Sequence, residues 1–130
     1  MDREACAACF VVEPVADRRE VDFSEVVAAD RQATTMTVHS GADNDMIGAE
    51  VGGDFTEWHN FAVDWAPDHL TIYLDGKQVF RTTDRDRIPY KPMHLCLQQD
   101  VGPLTTLLPA PDPRDTSPVT MHVDWVRFYA

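Results

Sequence analysis

A chain of 130 residues with a hydrophobic fraction of 44% has the size and composition of one globular domain. Its formal net charge of −11 argues against nucleic acid, whose phosphates call for lysine and arginine, and against an anionic membrane surface; no stretch is long and apolar enough to span a bilayer. The first ten residues carry Asp2, Arg3 and Glu4 and have no recognisable signal peptide, so the location is unknown from sequence.

Residues 7–12 read as a strand. Cys6 and Cys9 within and beside it have redox-motif spacing, but that chemistry needs a helix N-terminus, so packing as small apolar groups is the expectation. With Cys96 the cysteines are odd in number, which gives no disulfide framework, and no second Cys/His pair stands at zinc-ligand spacing. Next comes Glu20-Val21-Asp22-Phe23-Ser24-Glu25. Alternate side chains of a strand share a face, so Glu20 and Asp22 point one way and Glu25 the other. One bulge around Phe23-Ser24 would add a residue and bring Glu25 to the face of Glu20 and Asp22. Three converging carboxylates suit sugar chemistry, in which one attacks an anomeric carbon and another protonates the leaving oxygen.

Residues 34–39 are rich in β-branched side chains and predict a strand that ends on His39. The glycine-rich stretch 41–53 predicts a loop, and its Asp43-Asn44-Asp45 start reads as solvated, since Ile47 stands at a calcium-ligand position. Phe61, Val63 and Trp65 alternate with small or polar residues, as do Leu70, Ile72 and Leu74, predicting two half-buried strands joined at Pro67-Asp68. Asp75-Gly76 predicts a tight hairpin turn into residues 78–81. The proline-rich stretch 104–118 predicts a connection, and 121–129 a last strand, with Trp65 and Trp125 in the core. The class is all-β and antiparallel, a β-sandwich.

Four blocks carry a family resemblance. Glu20 to Glu25 resembles the Glu-x-Asp-x-x-Glu signature of glycoside hydrolase family 16, the laminarinase and lichenase group. Residues 58–76, with Trp65-Ala66-Pro67 and Tyr73-Leu74-Asp75-Gly76, resemble its long hairpin; 88–95 resemble the next loop and inner strand; 123–129 resemble its closing strand. The resemblance implies a concanavalin A-like jelly roll. It reaches only the C-terminal half or somewhat more of the family's domain, so residues 1–130 are expected to form a single, N-terminally incomplete catalytic domain. Sheets short of strands predict self-association through unpaired edges. Family members are mostly secreted.

By this resemblance the chain is a retaining, endo-acting hydrolase of β-linked glucan, β-1,3 or β-1,3/1,4. Glu20 is the implied nucleophile, Glu25 the acid/base, and Asp22 the residue tuning both. His39, Trp58, Gln98 and Gln99 are the implied contacts to the polysaccharide, with one of the two glutamines facing the cleft by parity. The family's aromatic residues ahead of the catalytic strand are replaced by Cys6, Cys9 and Phe10. No cofactor and no metal are expected. Asp124 resembles a calcium ligand whose partner residues belong to the part of the domain this chain does not match. The alternative function is a non-catalytic or vestigial carbohydrate-binding sandwich.

Overall fold

The computed structural model describes residues 4–11, 19–101, 110, 112–114, 118 and 120–129, without the side chains of 4–7 and 101. All regular structure among these is strand: β1 Glu4–Val11, β2 Glu20–Val26, β3 Ala33–Ser40, β4 Asp45–Gly52, β5 Phe61–Ala66, β6 His69–Leu74, β7 Lys77–Thr82 and β8 His94–Val101. They form a five-stranded sheet in the order β4-β3-β2-β1-β8 and a three-stranded sheet in the order β5-β6-β7. Every pairing is antiparallel.

The core lies between the sheets. Val21 of β2 and Met36 and Val38 of β3 meet Leu70 and Ile72 of β6, with Ile88 closing one end. Each of these fully buried side chains contributes roughly 1.5–3 kcal/mol relative to exposure. Alternation in β3 is strict: Thr34, Met36, Val38 and Ser40 are buried, and the residues between them are half-buried. Two buried hydroxyls on the core side pair with each other, Ser24 Oγ lying 3.2 Å from Thr34 Oγ1, so neither is left unsatisfied.

Turn chemistry follows the sequence where glycine or an amide accepts a left-handed backbone. Asp75 and Gly76 have φ of 50° and 76° and link β6 to β7, as expected of a two-residue hairpin turn. Three expectations are corrected. Residues 45–52 are not loop but strand β4, and Gly48 is there for proximity: a Cβ at that position would stand 2.0 Å from the Met36 carbonyl oxygen. Composition signals a loop because glycine has poor strand propensity, whereas close backbone approach requires it. Residues 121–129 are not in a strand, and 122–129 are exposed; among the described residues no strand lies alongside to supply ladder hydrogen bonds. Trp65 and Trp125 are not core residues, being 39% and 55% exposed. Trp65 stands on the edge strand β5, where its indole N–H donates to the Pro89 carbonyl at 2.7 Å. The connection expected at 104–118 falls largely outside the described residues.

Candidate active site

Strand β2 carries a bulge. Against β1, Ala8 pairs with Ser24 and Cys9 with Asp22, leaving Phe23 unpaired; against β3, Asp22 pairs with Thr37 and Glu25 with Thr35. The extra residue reverses the alternation, so Glu20, Asp22 and Glu25 all lie on the face turned away from the core, while Val21, Ser24 and Val26 point inward. Phe23 is held on the core side by Phe10 and Phe61, at ring-centroid distances of 5.4 and 6.3 Å. These aromatic contacts keep the unpaired Phe23 partly buried against the core at the bulge.

Register then fixes the neighbours on the outer face. His39, Thr37 and Thr35 of β3 stand beside Glu20, Asp22 and Glu25. Cys9 of β1 stands beside Asp22, with Cys96 of β8 beyond it. Thr37 Oγ1 donates to Glu25 Oε2 at 3.2 Å, and Thr35 Oγ1 donates to the same oxygen at 3.4 Å. His39 Nε2 lies 2.9 Å from Asp22 Oδ2, and its Nδ1 lies 3.0 Å from Asn44 Oδ1. An imidazolium donates to both oxygens at once, and the bond to Asp22 raises the His39 pKa above its ordinary value against the opposing effect of burial. Asn44 reaches this position from the turn between β3 and β4, where it adopts φ of 56°.

The carboxyl groups of Glu20 and Glu25 are both harder to ionise than usual, first because burial disfavours the charge and second because Asp22 is negative beside them. His39 opposes the rise at both positions; the Cys9 thiol helps oppose it at Glu20, and the hydroxyls of Thr37 and Thr35 at Glu25. Arg19, adjacent in sequence to Glu20, turns away and donates to the carbonyls of Asp86 and Ile88. A groove of about 410 Å³ runs over β3 and β4 beside Glu25, lined by Thr35, Thr37, Met46, Gly48 and Glu50 among others. Another hollow, of about 380 Å³, lies between Trp65, Arg85 and Tyr90; neither space is lined by Glu20, Asp22 or Glu25, and the first adjoins the site through Thr35 and Thr37, which bond Glu25.

Of the remaining expected residues, Gln98 pairs with Ala7, which in turn pairs with Glu25, so Gln98 shares the outer face. Gln99 has the opposite parity, and both glutamines lie within β8 itself. Trp58 is 69% exposed on the segment between β4 and β5, its ring 6.4 Å from that of His122. Its neighbour His59 braces that segment, bonding to Asp75 Oδ2 at 2.8 Å and to the Asp54 carbonyl at 3.0 Å. No described contact joins Trp58 or His59 to the carboxylates. Sequence reasoning missed Thr35, Thr37, Asn44 and the thiol of Cys9. Counting back by two from His39 finds both threonines; nothing local to Asn44 or Cys9 announces their position.

A bulged strand that presents three carboxylates from one face of a β-sandwich, beside an open groove, is the architecture of a carbohydrate-active jelly roll. The chain belongs to glycosyl hydrolases family 16, whose family model matches residues 5–127. It is 27% identical over 129 residues to a beta-glucanase of Rhodothermus marinus, a match covering 87% of this chain and 45% of that protein. In fold it is similar to Bacillus licheniformis beta-glucanase, with a TM-score of 0.69 at 17% identity over 87% of this chain and 54% of that one. It is similar also to the endo-beta-1,3-glucanase of Pyrococcus furiosus, with a TM-score of 0.68 at 20% identity over 86% of this chain and 49% of that one. The chain thus spans about half the length of the relatives it matches.

Proposed function

We propose that this chain carries the chemistry of a retaining, endo-acting β-glucan hydrolase, residues 1–130 forming part of a single catalytic domain, on β-1,3 or β-1,3/1,4 linkages. The observation that carries the reading is the bulge at Phe23, which turns Glu25 to the face already held by Glu20 and Asp22. In this reading Glu20 attacks the anomeric carbon while Glu25, protonated, donates to the departing glycosidic oxygen, leaving a glycosyl ester on Glu20. Glu25, now ionised, takes a proton from water; that water attacks the same carbon and releases Glu20, so two inversions retain the configuration.

Burial and the charge of Asp22 raise both glutamates, so the assignment of nucleophile and acid/base between them follows the family resemblance. Burial and the charge of Asp22 favour a protonated Glu25 in the resting state. At Glu20 the same two effects are opposed by His39 and by the thiol of Cys9, both of which favour the attacking carboxylate. Asp22, tied to His39 at 2.9 Å, is held in position between the two glutamates. His39 and Gln98 serve as sugar contacts from the sheet, Gln99 being excluded by its opposite parity, and Trp58 as a more distant aromatic surface for a long polysaccharide.

The test is hydrolysis of β-1,3- and mixed-linkage glucan, read as new reducing ends. Glu20→Gln should lower turnover roughly a thousandfold or more, since an amide is not a nucleophile. Glu20→Gly with added azide should regain turnover and give a glycosyl azide of inverted configuration. Unchanged turnover in Glu20→Gln contradicts the mechanism; glucan binding without any turnover in the wild type identifies a binding module instead.

A further inference from the structure

The outer face holds a thiol, a softer donor than the carboxylates and hydroxyls around it. Cys9 is 5% exposed and Asp22 4% exposed, and one ligand atom each of Cys9, Glu20 and Asp22 lie within 4.8 Å of one another. Cys96 stands directly across the β1–β8 pair from Cys9. No lysine or arginine is hydrogen-bonded or ion-paired to Glu20, Asp22 or Cys9 among the described contacts, and Arg19 is drawn off to the Asp86 and Ile88 carbonyls. Among the described residues, the cationic group bonded to the cluster is His39, at 2.9 Å from Asp22 Oδ2.

We propose that Cys9, Glu20 and Asp22 form a three-ligand binding site for a thiophilic divalent cation of the zinc class, with the fourth position open to solvent. Tetrahedral zinc bonds of about 2.0–2.3 Å put neighbouring ligand atoms about 3.5 Å apart. Atoms already within 4.8 Å reach that spacing by side-chain rotation on a fixed sheet. The donor set selects the ion: sulfur with carboxylate oxygen suits zinc or cadmium, whereas calcium and magnesium take oxygen ligands alone. Binding exchanges the Cys9 proton for a metal–sulfur bond, so one proton is released to solvent and no redox partner is required. The His39–Asp22 bond serves as the outer support that holds a ligating carboxylate in orientation.

The consequence rests on the hydrolase reading: a cation bonded to Glu20 occupies the oxygen that attacks sugar, so the metal and the substrate compete for one residue. The binding claim itself does not depend on turnover and is tested without it. Cadmium is titrated into the reduced protein and the thiolate-to-cadmium absorption in the ultraviolet is followed. The expected result is a band that saturates at one cadmium per chain, is displaced by zinc and is removed by a chelator. Cys6→Ser should keep the band and Cys9→Ser should lose it, with the far-ultraviolet circular dichroism of each variant matching the wild type. Should Cys9→Ser fail to fold, Glu20→Gln is the deciding variant and should weaken cadmium at least tenfold by calorimetry. Absence of the band at a cadmium concentration of about 100 µM, retention of the band in folded Cys9→Ser, or undiminished affinity in Glu20→Gln overturns the proposal. Glucan hydrolysis failing while the band appears would refute the enzymatic reading and leave the metal site standing.

Discussion

His39 and Asp22 are joined across the β2–β3 pair by a 2.9 Å contact, the histidine 17% and the aspartate 6% exposed in their side chains. The pairing register opposes His39 to Glu20 and Thr37 to Asp22, so the histidine reaches diagonally along the face to bond Asp22. That diagonal places a positive charge against the middle carboxylate of three, and it sets how much negative charge the face holds.

A pH dependence follows for stability. The His39 pKa is raised in the folded state, so its bond to Asp22 contributes stability that is fully present below the ordinary histidine value of about 6.5 and is lost as pH rises through the folded value. Urea midpoints of the wild type and His39→Gln, compared across pH, should therefore differ most on the acid side and converge on the alkaline side. A difference that grows with pH contradicts the imidazolium.

Thr37→Val removes a hydroxyl that favours the ionised form of Glu25, so the pKa of Glu25 should rise further. If Glu25 is the acid, the alkaline limb of kcat/KM on β-glucan moves to higher pH in the variant, with the fold unchanged. A limb that stays in place or moves down separates Glu25 from that role.

Two substitutions test the packing that supports the site. Gly48→Ala drives a methyl group against the Met36 carbonyl, at a starting separation of 2.0 Å, and should cost about 1–3 kcal/mol of stability as an overpacked position. Ile72→Ala, at the centre of the core, should cost about 2–5 kcal/mol. Both are read from denaturant midpoints; a Gly48→Ala protein as stable as the wild type would show that β3 and β4 part easily.

Association in solution is the last expected outcome. Among the described residues, β4 and β8 border one sheet and β5 and β7 the other, while Trp125, Phe128 and Tyr129 are exposed. Open strand edges beside exposed aromatic residues recruit further chains, so light scattering on the purified chain should give masses above the monomer, increasing with concentration. A monodisperse monomer at all concentrations contradicts this.

Local chemistry was enough to determine the β class, the β5–β6 hairpin at Pro67-Asp68, the Asp75-Gly76 turn from β6 into β7, and the requirement for a bulge at Phe23-Ser24. Each depends on neighbours a few residues apart: alternation fixes which side chains share a face, and only one extra residue reconciles Glu20 and Glu25. The tertiary structure decided the rest. Gly48 looks like loop until the Met36 carbonyl is placed against it, because a close backbone approach leaves no mark on composition. Alternation gave Trp65 and Trp125 an apolar identity without saying whether a second layer covers them, and the described structure leaves both exposed. The contacts that shape the carboxylates come from β1, β3 and the β3–β4 turn: Cys9 is 13 residues from Asp22 in sequence, and Asn44 is 5 from His39. Pairing between strands brings them together, and register is a property of the assembled sheet, set by burial of a whole face at once rather than by any one segment.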